Sequence, residues 1–185
     1  MTEPTDPAAG ESAPSQADVA DQIGQAFAAL KQHGDTGANW FYWIAALSLV
    51  NTAMAHGGAD RQFIIGLSVT AIVDAIAQAI GKENPEAATL AMGIAIGFSV
   101  CVAIVVILFG WLARKRILWV FGIGMGLYLL DGLAYLALGD VLSAAFHGYA
   151  LFSMYRGFGA YRQMAQLEAA LQTDAVTVVE DDVEE

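Results

Sequence analysis

The chain has 185 residues, 57% of them hydrophobic and only 15% charged, with a formal net charge of −11. Soluble domains of this size carry about a quarter charged residues and somewhat under half apolar ones. The acidic balance argues against nucleic acid as a partner, which needs a basic patch. The single cysteine, Cys101, rules out an internal disulfide and reads as a small hydrophobe.

The charge is segregated. Six acids lie in the first 38 residues and seven more follow residue 163, while residues 39–164 are mostly apolar. Water as solvent demands polar residues along every element, whereas a bilayer demands them at the ends and at short breaks. Residues 1–16 are rich in Pro, Ala, Ser and acids and are expected to be a disordered tail. They have neither the basic nor the apolar region of a secretory signal peptide. In residues 17–38, Val19, Ile23, Phe27 and Leu30 recur at near-helical spacing, which predicts a short amphipathic surface helix and a linker.

Five apolar segments follow, at about 39–56, 62–81, 88–113, 117–138 and 141–160. Each is near the roughly 20 residues that cross a hydrocarbon core. The breaks between them are short, so neighbouring helices run antiparallel. Residues 163–185 are expected to extend the last helix through Met164, Leu167 and Leu171 and then become a disordered acidic tail. The expected fold is therefore all-α: a polytopic membrane bundle of about five transmembrane helices (39–162), with an amphipathic helix before it and an acidic tail after it. Five crossings put Lys31 and Lys82 on one side and Arg61, Arg114, Lys115, Arg116, Arg156 and Arg162 on the other. The excess of basic residues on the second side predicts a cytoplasmic C-terminus and an outside N-terminus, in a bacterial inner membrane.

Two features mark the interior. Gly93 and Gly97, and Gly122 and Gly126, are four apart, a spacing that predicts close helix packing in lipid. Ionisable residues inside the spans are costly and therefore informative. Arg156 is near a helix end, where its stem can reach the headgroups. Asp131 precedes the Gly139-Asp140 turn by eight residues and His147 follows it by seven, so an antiparallel hairpin brings them to one depth. Asp74 stands at a similar distance from Gly81. Tyr128 and Tyr135 share a helical face with Asp131, Ser143 is one turn before His147, and Gln78 is one turn after Asp74. This candidate polar layer of Asp74, Asp131, His147, Tyr128 and Tyr135 has three readings: a hydrogen-bond network that fixes helix pairing, a proton or ion relay, or a metal site. Three candidate ligands, Asp74, Asp131 and His147, on three separate helices, without an ExxH or HxxxH pair, argue against the metal. His56 and His33 are expected to be solvated at interfaces.

Protease chemistry fits poorly. Val100 replaces the second glycine of a GxSG pattern around Ser99, and neither Asp131 nor Asp140 sits in a YD or GxGD context. No catalytic residue and no cofactor is implied. The expected function is a non-enzymatic accessory or scaffold subunit of a membrane assembly. The alternative is a small ion- or proton-coupled transporter or channel using the Asp/His layer. The partners implied are the lipid bilayer and either another membrane protein or further copies of this chain.

Overall fold

The computed structural model describes residues 15–57 and 66–183, with side chains described as far as Thr173. The first fourteen residues of the expected N-terminal tail, part of the second apolar segment (62–65), Arg61 and the last two acids lie outside the described residues. The described chain is all-α, with five helices: α1 Gln16–His56, α2 Ser68–Glu83, α3 Ala88–Arg114, α4 Leu118–Ala137 and α5 Val141–Val183.

α1 starts at a reciprocal cap. The Ser15 hydroxyl accepts from Asp18 N–H and the Asp18 carboxylate accepts from Ser15 N–H, which satisfies two otherwise orphaned donors. The helix then runs for 41 residues without a break. The surface helix and the first apolar segment, expected as separate pieces, are one element. Gly34 and Gly37, which in the sequence resemble a linker, lie within α1 because α5 crosses there. A Cβ on Gly37 would stand 2.7 Å from Gly157 Cα, and one on Gly34 would strike the Tyr161 ring. The backbone entropy that glycine costs a helix is offset by this close crossing.

α3 and α4 are joined by a turn in which Arg116 takes the left-handed conformation (φ 63°) and its N–H donates to the Ala113 carbonyl. α4 ends in a Schellman motif at Gly139 (φ 81°), where Asp140 N–H reaches the Tyr135 carbonyl and Gly139 N–H that of Leu136. α5 does not give way to a tail after Leu171, the last residue of the expected helix extension. Residues 160–183 contain neither Gly nor Pro to stop it, and it stays helical to Val183.

Contacts fix the directions. Gly37 meets Gly157 and Trp40 meets Tyr149, so α1 and α5 are antiparallel. Phe41 meets Phe109 while Thr52 meets Ser99, so α1 and α3 are antiparallel too. Ser48 meets Thr70 and Thr52 meets Asp74, so α2 runs parallel to α1. It begins at the middle of the bundle, beside Asp131 of α4. At 16 residues it is about 24 Å long, short of a hydrocarbon core. α2 therefore starts inside the bundle, where its first backbone donors find their acceptor.

The early part of α1, the α3–α4 turn and the late part of α5 meet at one end of the bundle. There the Tyr161 hydroxyl donates to Asp35 at 2.6 Å, Arg114 lies 3.8 Å from Asp35, and Arg116 pairs with Glu168. The early part of α1 and the late part of α5 thus lie at the same end of the bundle. The core at this end is aromatic, with Phe121 in edge contact with Phe41, Phe158 and Tyr161.

Two of the five helices, α3 and α4, are long and apolar enough to cross a membrane. The glycines expected to pack them do not. Gly93, Gly97, Gly122 and Gly126 are exposed, and a Cβ on any of them would meet nothing within 4 Å. The close approaches fall one helical face away. Gly124 lies against Phe41, Gly110 against Phe41 and Tyr42, and Gly132 against His147.

Candidate functional site: two buried acid–histidine pairs

Asp131 and His147 meet, with His147 Nε2 2.9 Å from Asp131 Oδ2. Gly132 makes room, since a Cβ there would stand 2.7 Å from the His147 Cβ. Tyr128 stacks on the imidazole with centroids 4.3 Å apart, and Tyr135 lies tilted against it at 5.3 Å. Four of the five layer residues are thus assembled around one ring that is 1% exposed.

The proton count at this pair follows from its neighbours. His147 Nδ1 is 2.8 Å from the Ser143 carbonyl, which can only accept, so Nδ1 carries a hydrogen. The short Nε2–Oδ2 contact then holds one further proton. Whether that proton is counted with the carboxyl or with the imidazole, the pair as a whole is neutral.

Asp131 also has a second task. Its carboxylate accepts from Ser68 N–H at 2.9 Å, from the Ser68 hydroxyl at 2.6 Å and from Val69 N–H at 3.3 Å. The N-cap position of α2 is Leu67, which has no side-chain acceptor, and no acid lies in the first turn. Asp131 of α4 therefore caps α2 from outside the helix, meeting both its free donors and the positive end of its dipole.

Asp74 is elsewhere. It lies six residues along α2 from Ser68, about 9 Å away along the axis. Its carboxylate accepts from Thr52 at 2.8 Å and faces His56 Nε2 at 3.0 Å. Thr52 also stands 2.9 Å from Ser99 Oγ, and Ser48 from Thr70 Oγ1. Gln78 reaches the Ala55 carbonyl at 3.2 Å rather than Asp74. The single layer expected from depth is thus two centres. His56 is not solvated, since its side chain is 8% exposed and bonded to a buried acid. The signal for this second centre was present: Ser48, Thr52 and His56 recur at i, i+4 and i+8 on α1, a polar stripe that faces α2. Asn51 lies beside it, and its Oδ1 is buried without a hydrogen-bond partner among the described residues.

Among the described residues no three His, Cys, Asp or Glu side chains converge to hold a metal ion. Arg156 is exposed, with its guanidinium 6.0 Å from the centroid of the Phe152 ring. No protein-family model, curated protein or solved structure matches the chain.

Proposed function

We propose that the chain is a non-enzymatic integral membrane protein, a scaffold or accessory subunit that presents a paired-helix stalk to a partner on the cytoplasmic side. Membrane insertion is supported by exposure. In the most apolar stretch of α3 only 17% is buried, and in that of α4 only 33%, so neither is the hidden core helix of a water-soluble domain. Leu90, Ile94, Trp119 and Leu130 are all more than 60% exposed. A continuous apolar surface of this kind has no stable place in water.

In this reading four elements cross the bilayer: residues 39–56 of α1, then α3, α4, and residues 141–160 of α5. α2 enters as a half-helix from the other face. Four crossings replace the expected five and put both ends on one side. Lys31, Arg114, Lys115, Arg116 and Arg162 cluster there, against Lys82 at the other end, and the excess of bases assigns that side to the cytoplasm.

The observation that carries the scaffold reading is the length of α1 and α5. At 41 and 43 residues each is about 60 Å long, twice a hydrocarbon core. The excess of both leaves the bundle at the same end. Ile23, Phe27 and Leu30 are half-buried along α1, as Leu167 is along α5, where Met164 is buried outright. Carrying the Gly34–Tyr161 register outward brings these two stripes together as an antiparallel pair. Gentle extraction followed by mass and composition analysis of the particle tests the reading. A second protein in fixed ratio, lost when residues 16–30 are deleted, supports it. A particle containing this chain alone contradicts it.

A second reading, proton-coupled transport, is favoured by the repetition of the motif. Buried Asp74 and largely buried Asp131 are each bonded to a histidine. Here Asp74→Asn and Asp131→Asn would each abolish proton uptake into proteoliposomes while the protein stays folded.

A further inference from the structure

Because α2 begins inside the bundle, the part beyond its N-terminus is left open between α3 and α4 among the described residues. The opening is a groove of about 590 Å³, roofed by Leu67 and Ser68 and walled by α3 and α4. Its polar side chains are few: Asp131, engaged by Ser68, Val69 and His147, and Tyr128, whose ring stacks on His147. What remains on the walls is apolar, including Val102, Val105, Phe109, Leu127 and Leu130. Val105, Leu127 and Leu130 are at least half exposed, so the groove opens sideways, where the proposed membrane lies. Along α3 it runs from Cys101 to Phe109, eight residues or about 12 Å. That matches one leaflet of a hydrocarbon core about 30 Å thick.

The end of the groove away from α2 leads to the α3–α4 turn. Of the three bases there, Arg114 and Arg116 are held by Asp35 and Glu168. Lys115 lies over the Trp111 ring, 5.4 Å from its centroid, and among the described residues it makes no ion pair. Trp111 and Trp119 are exposed on the two helices that wall the groove, at the level where indoles anchor to headgroups.

We propose that this groove holds one acyl chain of an anionic phospholipid of the cytoplasmic leaflet, with its headgroup at Lys115 and its chain end beneath the N-terminus of α2. The proposal rests on the membrane reading above. An acyl chain needs no polar partner, and the groove wall is mostly apolar. A second copy of this chain would have to place a helix where one leaflet of depth is available, whereas a lipid has the required length and the complementary charge.

The test uses the full-length protein in nanodiscs containing phosphatidylglycerol with a photoreactive group in its acyl chain, followed by peptide mapping. Labelling at residues 101–109 and 127–134 should exceed that at the outward face of α3 around Leu90 and Ile94 by about fivefold or more. Val102→Phe, which fills the groove, should bring it down to the level of the outward face. Lys115→Ala should lower the preference for phosphatidylglycerol over phosphatidylcholine by about fivefold, the effect of one base near an anionic surface. Should Val102→Phe fail to fold, the wild-type labelling pattern alone still decides. Uniform labelling along α3, or a cross-link to a second protein chain in the groove, overturns the lipid site while leaving membrane insertion intact. Absence of labelling anywhere overturns the membrane reading as well.

Discussion

Removing the Asp131 carboxylate should release α2. In Asp131→Ala the first turn of α2 loses the only side-chain acceptor it has among the described residues, because Leu67 supplies none. Loss of an N-cap costs about 1 kcal/mol. The Ser68 hydroxyl and His147 lose their partner too, and hydrogen bonds within membrane bundles are worth about 0.6 kcal/mol each, reaching about 1.7. The total is about 2–4 kcal/mol. Asp131→Asn should cost only about 1 kcal/mol, because its carbonyl can accept from Ser68 while its amide donates to Nε2 of a neutral His147. Reversible unfolding in mixed micelles, followed by helical circular dichroism, gives both numbers. Amide exchange at residues 68–71 should rise tenfold or more in the Ala variant and much less in the Asn variant. Equal destabilisation by Ala and Asn, or unchanged exchange at the start of α2 in Asp131→Ala, would refute capping across helices.

The glycines give a paired prediction: Gly37→Leu should destabilise by 3 kcal/mol or more, at or beyond the top of the usual range of about 1–3 kcal/mol for overpacking, because the obstruction is the Gly157 backbone. Gly93→Leu should change stability by less than about 0.5 kcal/mol, since nothing stands within 4 Å, and the same unfolding titration compares them. At the Asp35 cluster, burial raises the carboxyl pKa, but hydrogen bonds from Lys31 and Tyr161 and the charges of Lys31 and Arg114 outweigh it, so the net shift is downward. A depressed pKa contributes stability above the unfolded value near 3.9 and loses it as pH falls through the folded value. Tyr161→Phe should therefore cost about 1 kcal/mol at pH 7, a figure reduced for the partial exposure of Asp35, and progressively less as pH falls below the unfolded value. Unfolding titrations of both proteins across that range measure the difference.

Much of the fold was legible because apolar length is a strong signal. α3 and α4 lie within a residue or two of the expected segments at 88–113 and 117–138. The Asp131–His147 contact was legible for a related reason, since a short turn with known residue counts on each side fixes relative depth. What failed were inferences that needed a partner helix. Gly34 and Gly37 look like a linker until α5 is placed across them. Gly93, Gly97, Gly122 and Gly126 have the right spacing for packing, but spacing does not say which face turns inward. The start of α2 was invisible because its cap comes from a residue 63 positions away. The expected second segment, 62–81, therefore began before the observed start of α2 at Ser68.

The half-helix and the shared side of the two ends stand or fall with topology. In a Cys101→Ser background, single cysteines at Gln22→Cys, Lys115→Cys, Gln166→Cys and Leu138→Cys are labelled with a membrane-impermeant maleimide in sealed vesicles of known orientation. Gln22→Cys, Lys115→Cys and Gln166→Cys should react from the cytoplasmic side and Leu138→Cys from the opposite one. Labelling of Gln22→Cys and Gln166→Cys from opposite sides would mean an odd number of crossings, and α2 could not then be a half-helix in the bundle described above.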